Sequence, residues 1–348
     1  MRILLIRLSA LGDVVTASPL PRLIKQHDPD AEVVWAVERR CADAVTGHPW
    51  VDEVLALPSS RDWRRWLRGA RATALSAAGE LWQALRRRPF DVVLDLQGLL
   101  KSAAIAALAR AERKLVPADA YEPAPFVFTE HVPRVVDPRR VASMYVSLLA
   151  PLGIVPREPA DYRLVLPIGA DDHARMAAWR TGHGLAAGGY LVCAPGTTRP
   201  QKHWVAERWA PALAALHRRH GLPAVLVGGP SEQALADTIV AGATSPVVSA
   251  VGATSIKETG ALFAAAALTV SVDTGPMHMA VAAGCPTLAL FGSTRPRLFD
   301  DGSRYTCLHR RFACSPCDRR PICRDYDCLR AITPGDVVRA ADHLLGER

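Results

Sequence analysis

The sequence has few lysines and no long apolar run, and each shortage limits what the protein can be. Only five residues are lysine, at positions 25, 101, 114, 202 and 257, against 37 arginines. No apolar run approaches the roughly 20 residues that a membrane-spanning helix needs. The opening residues Met1–Arg7 lead into no signal-peptide cleavage region, so we expect a cytosolic protein.

Two phosphate-binding motifs are also missing. The loop after the first predicted strand, Ile3–Arg7, lacks the G-x-G-x-x-G spacing of a dinucleotide-binding fingerprint, and a G-x-x-x-x-G-K-[ST] loop does not occur. A P-loop ATPase is therefore disfavoured. In a chain so rich in arginine, a lysine inside a motif indicates a site that needs a compact ammonium group more than a planar guanidinium.

What the sequence does contain is typical of a globular protein with an acidic partner. Hydrophobic residues make up 49% of the 348 residues, which is enough to build folded cores. The formal net charge is +8, which favours nucleic acid, phosphorylated sugars or an anionic lipid surface as the partner. The length favours two domains of about 100–200 residues each.

Predicted strands and helices alternate along the chain. The predicted strands are Ile3–Arg7, Glu32–Val37, Glu53–Leu57 and Asp91–Leu96 in the first half, and Tyr190–Ala194, Ala224–Val227, Val247–Val251, Thr269–Val272 and Thr287–Phe291 in the second. The longest predicted helices between and beside them are Val14–Gln26, Pro138–Leu152 and Ala206–His220. This alternation predicts two doubly wound parallel sheets that face each other across a cleft.

Prolines 151, 156, 159 and 167 mark an extended connection between the two halves. We therefore predict domains at residues 1–165 and 166–330, with a cysteine-rich segment at 307–328. A terminal helix follows within residues 331–348, and Thr333-Pro334 caps it.

The segment Leu268–Ala280 organises the second half. It predicts a strand, a tight turn at Asp273-Thr274-Gly275 and a helix with Pro276 in its first turn. Such a turn offers unpaired backbone N–H groups and a positive helix end, which suit a phosphate. The alternative is an ordinary strand-to-helix turn in which Asp273 only caps the helix.

Three loops of the second half follow predicted strands and should share one crevice. They are Pro195–Trp204, Gly228–Glu232 and Asp273–His278. Their side chains fit a nucleoside diphosphate, with Lys202 and the Thr197 and Thr198 hydroxyls for phosphate oxygens and Glu232 for ribose hydroxyls. The Thr274 and Gly275 amides would meet the diphosphate.

The first half offers a second group of polar residues. Asp13 stands at the start of a predicted helix, as an N-cap or as a carboxylate aimed into a cleft. Asp95, Gln97 and Lys101 follow the strand Asp91–Leu96, at the end where open α/β sheets bind ligands. The segment 60–88 mixes tryptophans with arginines, among them Arg61, Arg64 and Arg65, and suits an anionic surface with an apolar border or a solvated amphipathic helix.

Together these segments resemble the heptosyltransferases of lipopolysaccharide core synthesis. The resemblance lies in Met1–Asp13, Asp95–Ala103, Thr197–Trp204, Gly228–Glu232 and Ser271–His278. It implies the GT-B architecture of two Rossmann-like domains, and an inverting transferase with an ADP-activated heptose donor and an acidic, lipid-linked inner-core acceptor. It also implies peripheral contact with the cytosolic face of the inner membrane, no nucleic acid partner and no cofactor for catalysis.

The resemblance also implies roles for single residues. Asp13 would be the catalytic base, and Lys202 and Thr198 would contact the diphosphate. Glu232 would contact the ribose, and further donor contacts would come from Asp273, Thr274, Gly275 and His278. Lys101 with Arg61, Arg64 and Arg65 would face the acceptor, and we group Gln97 with them. The chain departs from the family where some members carry Arg before Glu-Pro, because it has Tyr121-Glu122-Pro123.

The cysteine-rich segment is a second departure. Five of the eight cysteines have the spacing C-x6-C-x2-C-x5-C-x4-C between Cys307 and Cys328. In a reducing cytosol, C-x2-C followed by two more cysteines is a thiolate metal pattern, and reduced structural thiols are the alternative. A related branch that modifies bacterial surface adhesins carries Cys-bound iron in a comparable place. The candidate ligands for structural zinc or iron are Cys314, Cys317, Cys323 and Cys328.

Three alternatives to the first interpretation stay open. The acceptor could be a protein, as in that branch. A nucleotide-sugar epimerase on the same two-sheet plan would turn over the donor without an acceptor. From another class, a nucleic-acid-binding protein would owe its positive charge to phosphate contacts and bind any duplex with steep salt dependence.

Overall fold

The computed structural model describes residues 1–122, 124–318, 323 and 325–346, without the side chains of Ser60, Arg61, Trp63, Leu67 and Arg71. It divides the chain into two compact units, Met1–Pro167 and Ile168–Arg348. The boundary that we predicted from the prolines of the connection, between residues 165 and 166, lies close to this division.

The first unit is a parallel sheet flanked by helices. Its elements are β1 (Arg2–Ile6), α1 (Leu11–Thr16), α2 (Pro19–His27), β2 (Glu32–Glu38), β3 (Glu53–Leu57), α3 (Ser60–Gly69), α4 (Arg71–Arg86), β4 (Phe90–Asp95), α5 (Leu100–Leu108), β5 (Ala111–Pro117), β6 (Glu130–Val132) and α6 (Ser143–Val146). The strand order is β3-β2-β1-β4-β5-β6. The order reverses between β1 and β4, so the loops after these two strands diverge and leave room for a ligand.

The second unit repeats this plan. Its elements are α7 (Ala170–Gly182), β7 (Leu191–Ala194), α8 (Ala206–His220), β8 (Ala224–Leu226), α9 (Gln233–Ala241), β9 (Val247–Ser249), α10 (Ile256–Ala264), β10 (Leu268–Val272), α11 (Gly275–Ala282), β11 (Thr287–Phe291), β12 (Tyr305–His309), α12 (Asp327–Arg330) and α13 (Pro334–Leu345). The strand order is β12-β11-β10-β7-β8-β9, and every described pairing is parallel. Here the order reverses between β7 and β10.

Each unit has its own apolar core on this sheet. In the first, Leu4, Ile6, Val34 and Val93 are buried against helical residues such as Ala106. In the second, strand residues including Val270 and Leu288 pack against Trp209 and Leu213 of α8 and Val337 of α13. The strands are apolar on both faces because helices cover both faces of the sheet, as parallel sheets require.

Several predicted elements differ from the observed ones. The helix predicted over Val14–Gln26 is two helices, because Pro19 lacks an N–H and restricts the residue before it, so α2 starts afresh there. The helix predicted over Pro138–Leu152 is wrong: only Ser143–Val146 is α-helical, and a 3-10 turn continues over Ser147–Leu152. Strands β5, β6 and β12 were not predicted.

Candidate active site

Asp13 lies beside the switch point of the first sheet, where an arginine and a tyrosine hold it. Helix α1 has Ala10 as its N-cap, so Asp13 is inside the first turn and the N-cap interpretation is wrong. One carboxylate oxygen lies 2.6 Å from Arg7 Nη2, and the Tyr145 hydroxyl donates to the other at 3.2 Å. The Asp13 side chain is 29% exposed, so it is partly open to solvent.

Arg7 is the buried partner of this pair. Its side chain is 9% exposed, and Nη1 donates to the Leu96 carbonyl at 3.1 Å. Burial alone would lower the pKa of the guanidinium, but Tyr145 and the Asp13 carboxylate raise it overall. Arg7 is therefore a fixed positive charge at the end of β1.

Gln97 ties the loop after β1 to the loop after β4. Its amide oxygen accepts from the backbone N–H groups of Leu8 and Ser9, and its side chain is buried. Asp95, fully buried, accepts from the N–H groups of Gln97 and Gly98, and burial raises the pKa of its carboxyl. These two residues hold the loop that leads to Asp13, and acceptor binding by Gln97 stays a prediction.

Lys101 reaches the same loop from α5. Its Nζ lies 2.9 Å from Ser9 Oγ and 2.7 Å from a carboxylate oxygen of Glu38, at the end of β2. Glu38 is almost fully buried, and its other oxygen pairs with Arg40. Three strand ends, those of β1, β2 and β4, thus meet around Lys101.

The predicted acceptor-facing arginines lie on α3, which Ser59 caps together with Asp62. Arg64 and Arg65 are exposed on this helix. The side chain of Arg61 lies outside the described residues. Tyr121-Glu122-Pro123 is the segment in which the chain departs from some members of the family. Its Glu122 carboxylate accepts from the Leu100 N–H at the start of α5. Pro123 lies outside the described residues.

Lys202 and Asp273 form the centre of the second site. Lys202, at the end of a short 3-10 turn, places Nζ 2.6 Å from an Asp273 carboxylate oxygen, and the Thr294 hydroxyl donates to the same oxygen. Burial would raise the pKa of Asp273, yet the Lys202 ammonium and these hydrogen bonds hold it below its usual value. Asp273 therefore pairs with Lys202 and does not cap α11.

The N-terminus of α11 lies next to this pair. Thr274 is the N-cap residue without a side-chain capping bond, and the helix begins at Gly275. The first amides of α11 thus follow directly on the Lys202–Asp273 pair. His278 is buried in the same helix, with its ring in edge contact with Phe299 at 5.7 Å between centroids.

Glu232 occupies a space that two glycines create. Its carboxylate accepts from the Gly229 N–H at 2.8 Å. A Cβ at Gly196 would lie 2.3 Å from the carboxylate carbon, and a Cβ at Gly228 would lie 2.2 Å from one oxygen. The loops after β7 and β8 therefore meet at this carboxylate, as the sequence predicted.

The loop after β7 carries the two threonines. Thr197 is half-buried and its carbonyl pairs with the His203 ring at 2.8 Å, while Thr198 is exposed. The second switch point thus gathers hydroxyls, an ammonium, a carboxylate and a helix N-terminus from β7, β8 and β10. This is the inventory predicted for a nucleoside diphosphate.

The cysteine-rich segment packs beside this site. The N–H groups of Cys317 and Asp318 donate to the Ser293 carbonyl, and the Gln201 side chain donates to the Asp318 carbonyl. Burial raises the pKa values of the Cys317 and Cys328 thiols, and the neighbouring Cys314 and Cys323 add to both shifts. Within the described residues, no three His, Cys, Asp or Glu side chains are arranged to share a metal ion.

Four site residues escaped the sequence analysis: Arg7, Glu38, Tyr145 and Thr294. Arg7 and Glu38 stand at the carboxyl ends of buried strands, and the rule that selected Asp95 would have found them. Tyr145 gives no local signal, since it lies 132 residues from Asp13. Across the described ranges, no helix is both long and apolar enough to cross a membrane.

Comparison with known proteins gives consistent matches along the chain. Residues 78–324 match the profile of glycosyltransferase family 9 (heptosyltransferase). Lipopolysaccharide heptosyltransferase 1 of Pseudomonas aeruginosa is 29% identical over 331 residues, which cover 91% of this chain and 86% of that protein. The protein of the same description from Salmonella typhimurium is 30% identical over 303 residues, covering 86% of this chain and 90% of its own.

Solved heptosyltransferase structures superpose on almost the whole of this chain. The E. coli heptosyltransferase WaaC with ADP superposes with a TM-score of 0.76 at 26% identity, covering 99% of this chain and 100% of WaaC. WaaC with ADP-2-deoxy-2-fluoro heptose gives a TM-score of 0.72 at the same identity, covering 99% of both chains.

Proposed function

The chain belongs to glycosyltransferase family 9, the heptosyltransferases, and we propose that it moves a heptose from an ADP-activated donor to a lipid-linked sugar of the lipopolysaccharide inner core. Its two sheets form the GT-B fold of the solved heptosyltransferases. The relatives by name act in lipopolysaccharide synthesis, and WaaC has been solved with ADP and with an ADP-heptose analogue. We propose the same donor and the same pathway for this chain because of its similarity to these proteins.

One observation carries the proposal: the Lys202–Asp273 pair stands at the N-terminus of α11, at the switch point of the second sheet. A lysine ammonium has three hydrogen-bond donors, and Asp273 uses one of them. The others, with the first amides of α11, can hold a diphosphate as its negative charge grows during departure. Glu232 would accept from the ribose hydroxyls.

In the proposed reaction, Asp13 is the general base. The acceptor hydroxyl gives its proton to the Asp13 carboxylate while its oxygen bonds to the anomeric carbon of the heptose. The bond from that carbon to the diphosphate oxygen breaks, and ADP leaves with the electron pair. A single displacement inverts the configuration at the anomeric carbon.

The positive residues of the first unit would receive the acceptor. Lys101, Arg64 and Arg65 carry charges that suit an acidic sugar or its lipid surface. We place the reaction at the cytosolic face of the inner membrane, where a lipid-linked acceptor would be presented.

The reaction that we propose uses no metal in any step. A structural zinc or iron ion on Cys314, Cys317, Cys323 and Cys328 remains a proposal that rests on the spacing of these cysteines in the sequence. A four-thiolate site suits either metal. Elemental analysis of protein purified without added metal should find about one ion per chain, and metal-free protein that is folded and active would refute the site.

The proposal is tested by following ADP release from ADP-heptose with and without a deacylated inner-core acceptor. We expect release that depends on the acceptor, with a heptosylated product of inverted configuration. Asp13→Asn should bind ADP like the wild type but turn over about 10²–10⁴-fold more slowly. Donor consumption without acceptor would instead indicate an epimerase or hydrolase. An active Asp13→Asn variant would remove Asp13 as the base.

A further inference from the structure

The Arg7–Asp13–Tyr145 cluster has features that a stabilising surface ion pair does not need. Arg7 and Tyr145 are buried, Tyr145 almost completely, whereas the Asp13 side chain that they hold is partly exposed. Arg7 Nε is buried without a hydrogen-bond partner in the described structure. A buried N–H group without a hydrogen bond lowers the stability of the folded state. A stabilising role alone therefore does not explain this arrangement of Arg7.

The three residues come from three different elements. Arg7 directly follows β1, Asp13 lies in α1 and Tyr145 in α6. The guanidinium carbon of Arg7 lies 5.1 Å from the centre of the Tyr145 ring, so the two groups that hold Asp13 also contact each other. The Leu96 carbonyl fixes the far side of the guanidinium. The carboxylate is thus held at both oxygens by a rigid, buried frame.

We propose that Arg7 and Tyr145 are positioning residues for the Asp13 base: together they fix the direction of its carboxylate and keep it ionised until the acceptor hydroxyl arrives. This inference rests on the proposed role of Asp13. Tyr145 donates to Oδ1 and Arg7 lies against Oδ2, so each carboxylate oxygen has a partner that fixes its position.

Arg7 also determines what happens after proton transfer. Once Asp13 holds the acceptor proton, its attraction to the guanidinium weakens, and the nearby positive charge favours release of that proton to water. The base is thereby reset for the next turnover. Other charged groups around this centre are Asp95, which acts on Arg7, and Lys101, Glu38 and Arg40, which surround the neighbouring Cys41 thiol.

The first test reads the ionisation of Asp13 directly, without activity. Protein labelled with ¹³C at aspartate carboxyls is titrated by NMR, and the Asp13 signal is assigned as the one missing in Asp13→Asn. In Arg7→Met we expect its midpoint to rise by about 1–3 pH units, because a close guanidinium favours the charged form by that amount. An unchanged midpoint would overturn the proposal.

The second test uses Tyr145→Phe, which keeps the buried ring and removes only the hydroxyl. We expect an unchanged ADP affinity and donor KM, a kcat lower by about tenfold or more, and the acidic limb of the pH–rate profile moved to higher pH. Compared with Arg7→Met, Arg7→Lys should return the acidic limb part of the way to its wild-type position, because lysine keeps a positive charge. The control Tyr162→Phe removes the hydroxyl of another Tyr–Arg contact in this unit, with Arg140, and should change none of these.

The outcomes separate this inference from the proposed function. If the wild type transfers heptose but Tyr145→Phe behaves like the wild type, the positioning role fails and the function stands. Another outcome is that Arg7→Met and Tyr145→Phe only lower the melting temperature, and leave kcat, the NMR midpoint of Asp13 and the acidic limb of the pH–rate profile unchanged. In that case the cluster is structural and the inference fails. If the wild type transfers no heptose but the NMR midpoint shifts as expected, the function fails and the hold on Asp13 stands.

Discussion

At the scale of single residues, six of the candidate site residues form three pairs of opposite charge. Arg7 pairs with Asp13, Lys101 with Glu38 and Lys202 with Asp273. In each pair one partner is nearly buried, so the pair fixes the direction of the more exposed group. Such a pair also links function to stability, because removing one partner leaves the other charge without compensation.

Lys202 allows the two effects to be separated. We expect Lys202→Ala to lose most transfer activity and also about 3 kcal/mol of stability, because Asp273 would remain as a buried, unpaired carboxylate. Lys202→Arg should recover little activity, because a planar fork does not reproduce a compact ammonium. Steady-state kinetics and denaturant unfolding measure the two effects.

The double variant Lys202→Ala with Asp273→Asn is the matched control for the charge. It removes the uncompensated carboxylate, so it should regain stability without regaining activity. Full activity of Lys202→Ala would move the proposed diphosphate contact elsewhere in the site.

The glycines around Glu232 give a second residue-scale prediction. Gly228→Ala places a Cβ only 2.2 Å from a carboxylate oxygen of Glu232. This clash should push Glu232 out of position without unfolding the protein. We expect ADP to bind about 10–100-fold more weakly, the value of a lost charge-assisted hydrogen bond of about 1.5–3 kcal/mol. Titration calorimetry with ADP measures the loss.

Gly229→Ala is the control for this change. A Cβ at Gly229 would meet no atom within 4 Å, so this variant should bind ADP like the wild type. Equal affinity in Gly228→Ala and Gly229→Ala would show that Glu232 does not contact the nucleotide.

At the scale of elements, the start of α13 joins the end of the chain to the second sheet. Asp336 accepts from the Thr333 N–H and hydroxyl, which cap the helix, and also pairs with Arg310 just after β12 and with Arg339. Burial would raise the pKa of Asp336, but these bonds lower it to about 2. The predicted cap at Thr333-Pro334 is thus confirmed, with Asp336 as its reciprocal partner.

This cap predicts a pH dependence of stability. Because the folded pKa lies below the ordinary 3.8, Asp336 stabilises the fold above about pH 4, and the stabilisation is lost as pH falls towards about 2. We expect Asp336→Asn to lose about 1–2 kcal/mol at pH 7 and to show a flatter fall in stability between pH 4 and 2. Urea unfolding at several pH values measures both.

A carboxylate elsewhere on α13 provides the comparison. Asp342 pairs with Arg219 and His220 near the surface, and Asp342→Asn should cost less than about 1 kcal/mol at pH 7. If Asp336→Asn and Asp342→Asn lose the same stability at pH 7, the cap has no special role.

At the scale of the whole molecule, the exposed apolar side chains are concentrated in the first unit. Among the described residues these include Leu75, Trp82, Leu100, Tyr121 and Phe126, and Phe126 is fully exposed. Leu100 and Tyr121 flank the bonded loops after β4 and β5, since the Glu122 N–H donates to the Gly98 carbonyl. With the arginines of α3, this unit combines apolar and positive groups, as peripheral membrane contact requires.

We therefore expect the protein to bind anionic phospholipid vesicles more tightly than neutral ones, with an affinity that falls as salt rises. Arg64→Glu with Arg65→Glu should reduce this binding in a vesicle sedimentation assay. The control Arg218→Glu with Arg219→Glu changes the net charge equally, on exposed positions of α8 in the second unit. Equal loss in both double variants would mean that net charge alone drives binding.

The sequence by itself determined the type and order of most elements. Strand Thr287–Phe291 and helix Ala206–His220 lie where they were predicted, and Gly221 ends that helix in a left-handed conformation. Apolar periodicity, prolines and glycines act within a few residues, so they can be read without knowing the fold. The alternation of elements was also sufficient to predict two parallel sheets, and thereby which loops share an edge.

The tertiary structure decided which partner each functional group has. Asp13 was predicted as a base or a cap, but its position within α1 and its bonds to Arg7 and Tyr145 depend on β1 and α6 meeting in space. Lys202 likewise finds Asp273 only because β7 and β10 are neighbours. Such contacts join residues far apart in the chain, and no local preference encodes them. Strand β12 lies at the end of the described strand order, next to β11, and its residues left too weak a local pattern to predict.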